Sequence, residues 1–406
     1  MTMASRNQAP GASMFYLLVA IGVLMVAAGL ASMHRLEALG HAITGMSNQV
    51  VWGLPHVFAI LMIVAASGVL NVATVGSVFG RAEYKSRAPL SGLLSLSLLA
   101  GGLSVLMADL GRPERILVAA THFNFTSVFA WNVFLYSGMF TIVSAYLWTL
   151  MERRMNPWSK AVGLVALVWR FALTTGTGSI FGFLVARQAY QSALLAPMFI
   201  IMSLAWGLAV FLVVQAAMYA WNREQLPPQI QARLARLLAL FVIAVGYFVL
   251  VYHVTNLYFA RQTGFERFIL FDGPVFPVLF WGAYVLLGTA LPLFLLLSPR
   301  LRGPRAMLAA SLLVLGGAAA QLYVFIIGGQ AFPLELFPGY AVTSSFGDGA
   351  VAHYVPSLAE FALGIGGVGV AFLCTTIGVR ALRFLPQDDV VATEPRVVAI
   401  AGGAQP

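Results

Sequence analysis

Long apolar runs, each of the length a bilayer demands, alternate along this chain with short polar gaps. A membrane-crossing helix needs about 20 mostly apolar residues. Windows that meet this fall at 14–32, 51–79, 89–108, 126–150, 161–186, 194–221, 237–259, 274–298, 306–328 and 357–379. The pattern predicts an all-α, polytopic membrane protein with ten transmembrane helices. No coiled-coil repeat or low-complexity linker separates them. Residues 1–386 therefore read as a single integral membrane domain, followed by a polar cytoplasmic tail over 387–406.

Composition agrees with this solvent. Only 9% of residues are charged and 60% are hydrophobic, whereas a soluble domain carries about a quarter charged residues. The net charge of +9 would suggest a polyanionic partner for a soluble chain. In a membrane chain basic loops report topology first, so nucleic acid is set aside. Assigning the loops alternately to two sides puts 16 of the 23 Lys and Arg on one side and 6 on the other, with Arg170 inside a span. That bias makes the first side cytoplasmic and places both termini there. The single cysteine, Cys374, lies in an apolar run, so the chain has neither an intramolecular disulfide nor an iron–sulfur cluster ligated by its own cysteines. The first apolar run lacks a small-residue cleavage signal and is expected to remain as a helix.

With sidedness assigned, the six histidines become informative. His34, His41, His122 and His353 fall in outer loops, His56 lies near the outer end of the second helix and His253 is in the outward half of the seventh. Seven of the 14 acids, Glu37, Asp109, Glu114, Glu266, Asp272, Glu335 and Asp348, also fall in outer loops. The outer face is thus the one equipped for proton chemistry and for docking. The densest stretch is DLGRPERILVAATHFNFTSVFAWN, Asp109 to Asn132. Asp109 ends the third helix, Gly111 allows a sharp turn, and Pro113 starts a short interfacial helix whose N-terminal end favours Glu114. Asp109 suits a proton-transfer role, and equally a cap over Gly111–Arg115 or an ion pair with Arg112.

Other polar residues sit within the spans. Trp52 and His56 share a helical face, as do His253 and Asn256. A histidine in hydrocarbon is a functional candidate, although a backbone carbonyl can also satisfy it. Asn132, well within the fourth helix, is suited to a hydrogen bond with a neighbouring helix or to a ligand. Arg170 is near mid-bilayer and is followed by Thr174 and Thr177 in TTGTGS, which serves either tight helix packing or an inward proton path. Glu360 in PSLAE reads first as the second half of a capping box with Ser357 as N-cap, and otherwise as a further proton-path group. No metal site is expected.

Three functions fit such a molecule. A b-type cytochrome needs facing histidines; two stacked haems are excluded because the inner half has none, and one haem between His56 and His253 is the surviving version. A secondary transporter needs matched broken helices at the midplane, and the fifth helix has no partner of that kind. A quinone-reactive membrane anchor needs hydrogen-bond donors, a proton acceptor and an apolar slot, which His, Asn, Asp and Trp at one end of a helical bundle supply.

The same residues carry a resemblance. DLGRPER at 109–115, FNFTSVFAWN at 123–132 and VVWGLPH at 50–56 resemble motifs of the NrfD/PsrC family, the membrane subunits of polysulfide reductase and related complexes. GGQAFPLELFPGY at 328–340, ahead of VPSLAEF, is similar to its ten-helix, DsrP-type branch from sulfite-reductase-associated DsrMKJOP complexes. The resemblance implies two four-helix bundles with flanking helices in a prokaryotic inner membrane. It also implies a haem-free subunit that binds menaquinone or ubiquinone near the outer face. Partners would be a periplasmic four-cluster ferredoxin-like iron–sulfur protein and further subunits such as a cytochrome c and a b-type membrane subunit. Asp109, Arg112, His122 and Asn132 occupy the family motif, with Trp52 and His56 beside it. The chain has no obvious match to the N-terminal quinone-contacting segment of polysulfide reductase. The expected reaction centre is Asp109 with His56 or His253. Trp52, Arg112, His122, Asn132 and Asn256 are expected to line the quinone site, and Arg170, Thr174, Thr177 and Glu360 a proton path.

Overall fold

A computed structural model of the protein describes residues 12–382, apart from 223, 225, 302, 335–339 and 341–348. The polar tail at 387–406, Glu335, Asp348 and part of the 328–340 motif lie outside the described residues. Ten helices among the described residues are long and apolar enough to cross a membrane: α1 Ser13–Leu39, α2 Leu54–Ser77, α3 Ala88–Asp109, α4 Val128–Met151, α5 Asn156–Gly182, α6 Leu195–Trp221, α7 Pro228–Tyr258, α8 Val278–Leu297, α9 Pro304–Ala331 and α10 Leu358–Ala381. No strand occurs among these residues.

Each apolar window finds its helix, and the ends shift for identifiable reasons. Pro228 opens α7 well before residue 237, because Leu234 and Leu238 are fully buried one turn apart while Arg233 and Arg236 stay exposed. α1 runs on to Leu39, so His34 and Glu37 belong to a helix and not to the first outer loop. Glu266, one of the acids that the sequence places in outer loops, is fully buried in a short helix, Ala260–Arg267.

Helices α2, α3, α4 and α5 pack in a ring, as do α6, α7, α8 and α9, and the rings meet where α2 and α5 lie against α6. α10 packs on α3 and α2, and α1 lies mainly against α10. Of the most apolar stretch of α2, 78% is buried, against 11% for α1, which makes α2 the central element. Its close approach to α6 depends on Gly68 and Gly207: a Cβ on Gly68 would lie 1.6 Å from the Ser203 carbonyl oxygen. Without a hydrophobic drive between helices in lipid, such small-residue contacts are what hold spans together.

Candidate functional site

The ends of α2 to α5 that lie around Asp109 enclose a cavity of about 840 Å³. Asp109, the last residue of α3, contributes its side chain, only 6% exposed. Pro55, in the first turn of α2, presets the helical φ, and His56 follows on the inward face. His56 Nδ1 lies 3.3 Å from Asp109 Oδ2. His41 approaches from a single turn, His41–Ile43, preceded by Gly40 at φ 71°, where glycine has no steric penalty. Its Nε2 lies 3.1 Å from the Asp109 carbonyl oxygen and 3.8 Å from Oδ1. The three groups are therefore close without being locked: His56 Nδ1 and Asp109 Oδ1 are buried and make no hydrogen bond.

Aromatic and apolar side chains complete the walls. The Trp52 ring sits 5.5 Å from that of Phe181, 6.3 Å from Phe129 and 6.1 Å from His56. Leu103, Leu106 and Met107 line the α3 side. Asn132 is 3% exposed, and its Nδ2 donates to the Val128 carbonyl of its own helix at 2.8 Å. Its Oδ1 is buried without a partner. One turn along, Tyr136 also lines the cavity, as does Thr177 of α5. On the α3–α4 side the lining residues Leu110, Phe129 and Ser137 are exposed, so this wall faces the surroundings of the bundle.

A family model described as polysulphide reductase, NrfD, matches residues 42–334, and these include nearly every wall of the cavity. The chain belongs to the NrfD family. It is 29% identical to an Archaeoglobus fulgidus protein named Hdr-like menaquinol oxidoreductase integral membrane subunit, over 86% of this chain and 88% of that one. A Halobacterium salinarum relative, provisionally named as a membrane subunit of dimethyl sulfoxide reductase, is 28% identical over 84% of this chain and 85% of its own. A selenate reductase subunit of Mesobacillus selenatarsenatis is 22% identical over 90% of this chain and 93% of its own. With its ten apolar helices, this NrfD-family chain is a multi-pass membrane protein.

Within this NrfD-family fold the predicted residues separate. Trp52, His56, Asp109, Asn132 and Thr177 line the one cavity. Arg112 and His122 are exposed and do not line it. His253 and Asn256 belong to the second ring of helices, where His253 Nδ1 lies 2.6 Å from Glu266 Oε2 and Asn256 Nδ2 donates to Oε1 at 2.7 Å. These two bonds explain how Glu266 is buried. His253 borders a separate cavity of about 30 Å³. Arg170 and Thr174 lie deeper, against Ser67 of α2. Glu360 does close the capping box with Ser357, and it also accepts from Gly45 N at 2.9 Å and from the Tyr354 hydroxyl at 2.5 Å. Burial first, and then the Glu360 carboxyl, pushes the Tyr354 phenol well above its ordinary range, so it remains a donor.

His41, Phe129, Tyr136 and Phe181 also line the cavity and were not among the predicted site residues. Tyr136 stands four residues after Asn132, a helical spacing that could have pointed to it. Phe181 and Phe129 had no such signal in a chain with 29 phenylalanines.

Among the described residues, no group of three or more His, Cys, Asp or Glu side chains is placed to hold a metal ion.

Proposed function

We propose that the protein is the quinone-binding membrane subunit of a respiratory electron-transfer complex. It would exchange electrons between membrane menaquinone or ubiquinone and a periplasmic iron–sulfur partner. The observation that carries this is the cavity: about 840 Å³, apolar along its length, with Asp109 and two histidines at one end. A quinone ring needs an apolar slot, donors for its carbonyls and a group that exchanges protons when it is reduced or reoxidised. Orphaned buried polar atoms on His56, Asp109 and Asn132 fit such a ligand. The indole N–H of Trp52, in the cavity wall, is a further donor for a carbonyl oxygen. The name of the Archaeoglobus relative includes menaquinol, which supports the same ligand class.

In this reading the quinone supplies the two-electron chemistry when bound, and the chain supplies binding and proton handling. Asp109 takes or delivers a proton, and His56 relays it or donates to a carbonyl. His41, half-exposed, links Asp109 to the outer surface. The chain belongs to a prokaryotic cytoplasmic membrane with both termini inside. The four-cluster ferredoxin-like protein would dock on the outer loops, and the DsrP-type assignment would add a cytochrome c, a b-type subunit and sulfur metabolism. A haem between His56 and His253 has no support, because the two line different cavities.

The test is binding of heptyl-hydroxyquinoline N-oxide, a fluorescent quinol analogue, to the purified chain. Micromolar quenching that is weakened by Trp52→Phe and His56→Gln is expected. Equal quenching in all three proteins would remove the cavity as the quinone site.

A second reading, proton translocation, rests on a file of buried polar groups below the cavity. Tyr136 and Thr177 form its floor, Thr174 Oγ1 lies 2.7 Å from Ser67 Oγ, and Arg170 Nη1 donates to the Ser67 carbonyl at 3.3 Å. Farther inward, Tyr146 hydrogen-bonds Ser77 near the inner end of α2.

A further inference from the structure

Trp52 stands on a segment with no regular structure, Ser47 to Gly53, yet it is held in the cavity wall. Its backbone is fixed from across the ring boundary. Gln330, near the end of α9 and 1% exposed, accepts from Val51 N and from Trp52 N through the same Oε1, each at 3.0 Å. Its Nε2 donates to the Trp52 carbonyl at 3.0 Å and to the Ile326 carbonyl at 2.9 Å. All the hydrogen-bonding capacity of this amide is used, three of its four bonds going to two adjacent residues of a distant loop.

The end of α9 is shaped for this. Residues Val324–Gly328 form wider, π-helical turns, which re-phase the residues that follow and are often found beside functional sites. The Ile326 carbonyl also receives the Tyr190 hydroxyl at 2.8 Å. Arg187, on the loop between α5 and α6, ties Gln330 to the same segment. Its Nη1 donates to the Gln330 carbonyl at 2.7 Å and its Nη2 to the Gln49 carbonyl at 2.6 Å. Gln330 does not touch the cavity.

We infer that Gln330, braced by Arg187, is a positioning residue for Trp52, through which the second ring of helices sets the geometry of a cavity it does not line. The inference rests on the quinone reading above. It assigns to Gln330 the orientation of the indole donor and, through the following residues, the start of α2 that carries His56.

The test titrates the full-length purified chain with heptyl-hydroxyquinoline N-oxide. Gln330→Ala removes both the acceptor and the donor, and binding is expected to weaken about fivefold to thirtyfold, the loss of one to two hydrogen bonds' worth of placement. Gln330→Glu keeps the acceptor for Val51 N and Trp52 N and should restore part of the affinity. Arg187→Lys should fall between them. Gln321→Ala, a buried amide on the same helix away from this loop, reports general softening of α9 and should leave binding unchanged. Wild-type affinity in Gln330→Ala, or equal weakening in Gln321→Ala and Gln330→Ala, would overturn the positioning role. If Trp52→Phe and His56→Gln also bind as wild type, the quinone reading itself has failed. If those two weaken binding and Gln330→Ala does not, only the inference has failed.

Discussion

His56 Nδ1 and Asp109 Oδ2 face each other at 3.3 Å across the adjoining ends of α2 and α3, one residue near the start of its helix and the other at the end of its own. Contact between those two ends is what lets an acid and a base from distant positions in the chain share one cavity. Asp109→Asn preserves shape and removes the exchangeable proton. Quinol-linked turnover should fall about a hundredfold or more, the usual scale for deleting a general acid–base group. Membrane abundance and co-purification of partners should hold. Turnover measured in membranes and blotting of the assembled complex check both halves, and loss of assembly would make Asp109 a structural residue.

Much of this was legible in the sequence because bilayer thickness imposes it. Runs of about 20 apolar residues gave the ten spans, and the alternation of those spans put Trp52, His56, Asp109 and Asn132 at one end, where they line one cavity. What the pattern could not give was which helices stand beside each other. His56 and His253 were both expected toward the outer side, yet α2 and α7 belong to different rings, so only one of them reaches the cavity. Glu266 reads only as one more outer-loop acid because its partners, His253 and Asn256, are supplied by a tertiary contact. The capping box at Ser357 and Glu360 was legible since it is local, while the bond from Gly45 N to the same carboxylate spans most of the chain.

That double duty makes Glu360 a stability determinant. Glu360→Ala strands three donors, Gly45 N–H, Ser357 N–H and the Tyr354 hydroxyl. A loss of about 3 kcal/mol or more is expected, from bonds to a charged or strongly polar acceptor left unmade in the interior. Glu360→Gln retains one acceptor oxygen and should lose about half as much. Thermal unfolding of both variants in detergent checks the order, and equal melting temperatures for Glu360→Ala and wild type would refute it.

The buried Glu266 is expected to serve the second ring of helices alone. Glu266→Gln keeps one acceptor oxygen but weakens the bond to His253 and should lower stability by about 1.5 kcal/mol, the scale of one hydrogen bond to a charged group. Binding of the quinol analogue should not change, since His253 borders a different cavity. A shift in affinity without a change in melting temperature would instead connect this pair to the quinone chemistry.

Arg170 offers the sharpest division between packing and transport. It is 3% exposed, donates to the Ser67 carbonyl at 3.3 Å and lies over the Phe171 ring at 4.6 Å. Among the described residues it has no ion-pair partner, and its Nε makes no hydrogen bond. A buried cation so incompletely satisfied is costly to keep, and replacing such groups with apolar ones of similar volume is often neutral or stabilising by about 1–4 kcal/mol, by analogy with buried ion pairs. Arg170→Met should therefore leave the melting temperature equal or raised. If the file of polar groups from Thr177 to Tyr146 carries protons, the same variant should oxidise quinol yet lose turnover-coupled pH change in proteoliposomes holding the intact complex and a pH-sensitive dye. Retained coupling in Arg170→Met would exclude the residue from any proton path. A lowered melting temperature would show that the arginine is kept for the bond to Ser67 that joins α5 to α2.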